Sequence, residues 1–375
     1  MFHVKQGTPG VLGFLDEAIR QARDLDLLRD RPPSTDGRGL SFCSNDYLGL
    51  AAEAAPAEAS GAGASRLVSG DRPVHVELER ASAELVGQPA ALVFTSGYAA
   101  NLGLLSALAG PGDLVVSDQL NHASIIDGAR LSRARVEVVP HLDLDAVERA
   151  LKRRTERHAF VVTESYFSMD ADSPDLAALR RLCDVRGAAL LVDEAHALGV
   201  LGPDGRGLCV QAGVLADAVI GTFGKAFGAG GAFVAGCPSL VTWLWNRARS
   251  FVFSTGLSPV TAAAALHNVR RAREEPARRT RVAAAAAQLR DGLERLGVRP
   301  AGAHHIVPWI VGEAGKAVQI ASTLVERGLP VRAIRPPSVP GGTARLRLTV
   351  TAAHTPADVE RALALVEAVV STGNA

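Results

Sequence analysis

The chain has 375 residues, and its 40 Lys and Arg against 39 Asp and Glu leave a net charge of +1. That balance offers no basic surplus for nucleic acid or a membrane surface. With 47% hydrophobic and 21% charged residues, it reads as a soluble globular protein, long enough for a large domain and a smaller one. No apolar run approaches the ~18 residues of a spanning helix, and the start lacks the apolar core of a signal peptide. Cys43, Cys183, Cys209 and Cys237 show neither a Cys-x-x-Cys nor a zinc pattern, so reduced thiols in a cytoplasmic protein are expected.

In chain order, Gly13 to Arg31 is amphipathic and stops at Pro32-Pro33, an N-terminal helical segment within residues 1–40. Leu40-Ser41-Phe42 reads as a short strand, followed by the polar turn Ser44-Asn45-Asp46-Tyr47-Leu48-Gly49. A helix is expected over Val76 to Val86 and a strand over Ala90 to Phe94. Helices and strands then alternate: a helix from Ala99, strand Leu114 to Val116, a helix near Ser124, strand Val136 to Val139, a helix from Asp145, strand Phe160 to Val162 and helix Leu176 to Arg186. Strands Ala189 to Val192, Ala218 to Gly221 and Gly231 to Ala235 follow. Such alternation specifies an α/β domain, residues 41–257, with a mainly parallel sheet. Ser258 to Leu296 is a helical Ala- and Arg-rich stretch. Strands at Ile306 to Val311, Leu329 to Val331 and Arg345 to Val350, with a final helix, complete a smaller α+β domain, residues 258–375.

The chemistry gathers where strands end. Val219-Ile220-Gly221-Thr222-Phe223-Gly224-Lys225 closes one apolar run, and Leu191-Val192-Asp193-Glu194-Ala195-His196 closes another. A Lys past a strand is usually a solvated end, an Asp there is often a helix cap, and a lone His is more often structural. Together, an amine, a carboxylate and an imidazole suit pyridoxal 5'-phosphate. That cofactor needs an amine for its aldehyde, an anion for its pyridinium nitrogen and a donor near its phenolic oxygen. Thr95-Ser96-Gly97-Tyr98-Ala99-Ala100-Asn101 would expose N–H groups at a helix start for a phosphate. His122, in Asn121-His122-Ala123-Ser124, would stack on a ring or cap a helix. Ser168, in Thr163-Glu164-Ser165-Tyr166-Phe167-Ser168, would reach the phenolic oxygen. Arg345-Leu346-Arg347 places two guanidiniums on one strand face, matched to carboxylates. Gly224-Lys225 lacks the glycine spacing and hydroxyl of a Walker loop, and Gly61-Ala62-Gly63 follows no strand, so neither is a nucleotide motif.

With these residues quoted, the chain resembles the α-oxoamine synthases from about Leu27 to His354. These are pyridoxal-phosphate enzymes of fold type I, the aspartate-aminotransferase-like fold. The motifs Asn45-Asp46-Tyr47-Leu48-Gly49, Asp193-Glu194-Ala195-His196 and Thr222-Phe223-Gly224-Lys225 carry the resemblance. Ile334-Arg335-Pro336-Pro337-Ser338-Val339-Pro340 with Gly342 to Arg347 resembles the branch that serves biotin synthesis.

The resemblance implies that Lys225 bonds the cofactor, Asp193 pairs with its ring nitrogen, and His196 and Ser168 bond its phenolic oxygen. His122 would stack on the ring; Gly97, Tyr98 and Thr222 would place the phosphate. Ser254 and Thr255 would reach the phosphate in a neighbouring subunit, which implies a homodimer. Arg347 would hold the amino-acid carboxylate, with Arg29, Asn45 and Ser338 lining the substrate region. The implied reaction is decarboxylative condensation of L-alanine with a pimeloyl thioester, carried by coenzyme A or acyl carrier protein. A sister enzyme using glycine and a short acyl-CoA, a fold type I aminotransferase and a catalytically dead partner subunit are the competing readings. The chain departs from the pattern in a short segment between Gly49 and Val68, in Ser338 where Thr is usual, and in Ala197 where Gly is common.

Overall fold

Seven of the apolar stretches assemble into one sheet in the computed structural model, which describes residues 14–27, 41–53 and 56–371. The strands are β1 (Ala90–Phe94), β2 (Leu114–Asp118), β3 (Arg135–Val139), β4 (Ala159–Glu164), β5 (Ala189–Asp193), β6 (Ala218–Thr222) and β7 (Ala232–Gly236). Their order is β1-β7-β6-β5-β4-β2-β3. Neighbours from β6 to β3 run parallel, while β7 is antiparallel to both β6 and β1. Helices cover both faces, so the inner strands are largely apolar, whereas the edge strand β3, with Arg135 and Glu137, is mostly exposed.

Alternation sorts the core. In β5, Leu190 and Val192 join the cluster under helices Pro73–Val86, Leu144–Lys152, Leu176–Arg186 and Pro259–Glu274. Leu191 joins the opposite cluster, with Leu104 of Gly97–Leu108, Ile125 of Ala123–Ser132 and Leu244 of Pro238–Arg247. The period of two along a strand thereby serves two cores at once.

A second, three-stranded antiparallel sheet is formed by β8 (Ile306–Gly312), β9 (Ala333–Ile334) and β10 (Ala344–Thr349), in the order β8-β10-β9. Helices Pro276–Arg295, Ala314–Glu326 and Pro356–Val370 pack with it, and their apolar residues are continuous with the first cluster.

Three local expectations are corrected. Ser41 and Phe42 are not in a strand; Leu40 lies outside the described residues. Phe42 makes isolated links instead, donating to the Pro330 carbonyl and accepting from the Thr349 N–H. Leu329 to Val331 is not a strand, and the paired residues are Ala333–Ile334. Pro330 has no N–H to give a ladder. The helical stretch after Ser258 breaks at Glu275 (φ −113°, ψ 64°), because Pro276 removes a donor and drives the residue before it out of the α region.

Candidate active site

Asp193 closes β5 and Thr222 closes β6, and the two parallel strands pair with Asp193 opposite Ile220. The residues after both strands therefore emerge at the same sheet edge, where open parallel sheets bind ligands. The turn carrying Lys225 folds tightly against the chain at Leu50 and Ala51. A Cβ at Gly228 (φ +56°) would meet Ala51 N at 2.4 Å, so only glycine fits there.

Lys225 Nζ lies 2.9 Å from His196 Nε2, and His196 Nδ1 lies 2.8 Å from the Tyr47 hydroxyl. Asp193 is buried; its Oδ2 accepts from Asn101 Nδ2 at 2.7 Å and its Oδ1 from the Ala195 N–H at 2.9 Å. Burial lowers the Lys225 pKa, the Arg347 charge lowers it further, and Asp193 and Glu164 oppose this. Burial holds His196 well below the ordinary imidazole value, reinforced by Lys225 and Arg347. A neutral imidazole thus faces an amine whose pKa is lowered.

The β10 pair divides its labour. Arg345 Nη1 meets Asp170 Oδ1 at 2.6 Å and the Met169 carbonyl at 2.9 Å. Arg347 is also buried, but its contacts are neutral. It donates to the Ser168 carbonyl (2.6 Å), Asn45 Oδ1 (3.0 Å) and the Tyr47 hydroxyl (3.2 Å). Among the described residues, no carboxylate pairs with Arg347.

A cavity of about 430 Å³ opens beside this group, lined by Gln119 to Ala123, Ile126, Glu164, Phe167 to Asp170 and Pro337 to Pro340. It brings His122, Ser168 and Ser338 together. His122 caps helix Ala123–Ser132, its Nδ1 accepting from the Ser124 N–H, as the capping reading expects. Its own N–H donates to Glu164 Oε1 at 2.8 Å. Burial first, then the Asp193 charge, pushes the Glu164 carboxyl well above the usual carboxylate range.

At the other end of the site, Gly97 opens helix Gly97–Leu108 with Ser96 as its cap. A Cβ on Gly97 would lie 3.8 Å from Thr222 Cβ, so the helix start and Thr222 are neighbours. The Tyr98 hydroxyl is engaged by Asp127 on the surface. Ser254 and Thr255 line a narrow cleft with Thr95 and Arg66. Arg29 lies outside the described residues.

Tyr47, Asn101 and Glu164 are site residues that motif reading quoted without assigning. Each contacts an assigned residue only through the fold: Tyr47 lies 149 positions from His196 and Asn101 92 positions from Asp193. The available signal was placement, since Asn101 falls one turn into a strand-end helix and Glu164 ends an apolar strand.

The donor set can be tested against pyridoxal phosphate. The cofactor asks for an amine, an anion facing its ring nitrogen, a polar partner for its phenolic oxygen and a cradle for phosphate. Lys225, Asp193, His196 and the start of helix Gly97–Leu108 beside Thr222 meet those needs at one sheet edge. Asn101 fixes one Asp193 oxygen and the Ala195 N–H the other, while the buried Asn101 Oδ1 has no hydrogen-bond partner.

The fold and this edge define a fold type I pyridoxal-phosphate transferase, and comparison with known proteins agrees. The profile of the family described as aminotransferase class I and II matches residues 38–366. The protein of Anaeromyxobacter dehalogenans named 8-amino-7-oxononanoate synthase is 50% identical over 346 residues, 89% of this chain and 87% of that protein. Its namesake from Alkalilimnicola ehrlichii is 48% identical over 341 residues, 87% of each chain. Among solved structures, serine palmitoyltransferase of Sphingomonas wittichii superposes with a TM-score of 0.90 at 30% identity, covering 97% of this chain and 99% of that one. The chain belongs to the class I and II aminotransferase family and, within it, to the α-oxoamine synthases.

Proposed function

We propose that the protein condenses L-alanine with a pimeloyl thioester, releasing carbon dioxide and the free thiol and giving 8-amino-7-oxononanoate. The 48–50% identity to proteins of that name supports the choice of branch. The observation that carries the chemistry is Arg347, a buried guanidinium with only neutral partners beside Lys225 and the cavity. A buried cation without a counter-charge calls for an anion, and an α-carboxylate supplies one bidentately.

Pyridoxal phosphate, when bound, supplies an aldehyde for the amine and a ring that accepts electrons from Cα. Asp193, its two oxygens held by Asn101 and the Ala195 N–H, would keep a proton on the ring nitrogen. Arg347, whose Nη1 donates to Asn45 Oδ1, would hold the alanine carboxylate and so orient Cα for reaction. Lys225 Nζ, its pKa depressed, takes the Cα proton as general base. His196, kept neutral by burial, would bond the phenolic oxygen, and Tyr47 fixes its other nitrogen. Ser168 and His122, which line the cavity, would bond the same oxygen and stack on the ring, respectively. The acyl group enters through the cavity between His122 and Ser338. Carbon–carbon bond formation expels the thiol, the β-keto acid loses carbon dioxide, and Lys225 returns the proton.

A matrix of amino acids and acyl thioesters followed by thiol release tests the assignment. Turnover confined to alanine with pimeloyl thioester supports it. Preference for glycine with a short acyl-CoA, or keto-acid formation without thiol release, would overturn it.

A further inference from the structure

Behind the cavity lies a second polar group that the reaction as described does not use. Asp118 ends β2, His141 follows β3 and Asp172 follows β4. His141 Nδ1 lies 2.9 Å from Asp118 Oδ1, and its Nε2 lies 3.1 Å from Asp172 Oδ2. The ring stands edge-on to Phe167, with centroids 4.5 Å apart. Burial works against a charged ring here, but the two carboxylates outweigh it and hold its pKa up at about 10. His141 is therefore an imidazolium bridging two aspartates.

The bridge ties together the two walls of the cavity. Asp118 also accepts from the Leu120 N–H (2.8 Å) and the Leu142 N–H (2.9 Å). Leu120 sits two residues before His122, in the wall formed by Gln119 to Ala123. On the other side, the Phe167 N–H donates to the Asp172 carbonyl at 2.9 Å, and Phe167 to Asp170 form the facing wall. The far flank of that wall is held by Arg345 on Asp170 and Arg347 on the Ser168 carbonyl. One wall is thus fixed from two directions and linked through one imidazole to the other.

We propose that Asp118, His141 and Asp172 form a clamp that sets the separation of the two cavity walls, making His141 a positioning residue for the thioester and its chain length. This rests on the reading that the cavity receives the acyl group. A purely structural ion bridge would stabilise the fold without selecting among acyl chains, and the test separates the two.

The holoenzyme is compared with His141→Gln, which reaches one carboxylate and carries no charge. The KM of pimeloyl-CoA should rise about tenfold, what one charge-assisted hydrogen bond is worth in positioning. The half-saturating alanine concentration, read from the cofactor absorbance, should not change. The preference for pimeloyl-CoA over the thioesters one methylene shorter and longer should fall about tenfold, the low end of what one methylene commands in a fitted pocket. A lowered melting temperature with the parental chain-length preference would overturn the proposal. Should His141→Gln not fold, Asp172→Asn, which leaves the Asp118–His141 pair intact, is judged by the same preference. If the parent turns over neither pimeloyl-CoA nor pimeloyl-acyl carrier protein, the functional reading falls and the clamp is judged separately, by hydrogen exchange of the parent and His141→Gln. Joint loss of protection in residues 119–123 and 166–172 supports it; loss in one segment alone overturns it.

Discussion

At the scale of single residues, two arginines on one strand face have different fates. Arg347→Lys keeps the charge and loses the fork. The half-saturating alanine concentration should rise roughly ten- to a hundredfold, the worth of a charged hydrogen bond, with cofactor affinity unchanged. Titrating the cofactor absorbance with alanine measures this. Arg345→Ala should act on stability instead, because Arg345 is buried and already paired with Asp170, whose side chain is 26% exposed. Breaking such a pair costs about 3 kcal/mol, the low end for a buried one. Urea unfolding should show that loss, while alanine affinity stays near the parental value. Lys225 has its own check: borohydride reduction of the cofactor-bound enzyme should label the peptide containing Lys225, and Lys225→Ala should give no label. A label on another lysine would remove Lys225 from the proposed reaction.

At the scale of elements, the site is a property of where strands stop. β2, β4, β5 and β6 each end in a residue that the site or its clamp uses: Asp118, Glu164, Asp193 and Thr222. The His141 bridge makes this edge pH-sensitive. Its folded pKa, about 10, lies above the unfolded imidazole value of about 6.5. Its stabilisation is therefore fully present below about 6.5 and is lost as pH rises through about 10. The difference in urea midpoint between the parent and His141→Gln should be largest just below pH ~6.5 and shrink toward pH ~10. A difference independent of pH would show that His141 is not charged in the folded protein.

At the scale of the whole molecule, the aromatic segment after β7 is split between core and surface. Leu244 and Phe251 are buried within the chain, whereas Trp243 is 46% and Phe253 73% exposed. Phe253 directly precedes Ser254 and Thr255, the residues proposed to complete a neighbouring subunit's phosphate site. We therefore predict an obligate homodimer. Mixing Lys225→Ala subunits with Thr255→Ala subunits should restore one intact site per hybrid, seen as recovered cofactor affinity. A fully active monomer in sedimentation would exclude shared sites.

The sequence by itself determined the layered α/β fold, the strand-end positions of Lys225, Asp193 and His196, and the family. Those features are local: an apolar run of strand length, a breaker, then a reactive residue, repeated in order along the chain. It also put both β10 arginines on one face, because alternation in a strand is a property of the backbone alone. Only the tertiary structure decided which arginine is already paired, that Tyr47 reaches His196, that Asn101 holds Asp193, and that His141 lies between two carboxylates. Those partners stand 23 to 302 positions apart. A sequence specifies which face a side chain takes through a local period, whereas its partner across the sheet edge is fixed by strand order and crossover. The same limit explains the two misread strands: Phe42 and Pro330 have strand-like composition, but whether a ladder forms depends on a neighbour's free N–H and C=O groups.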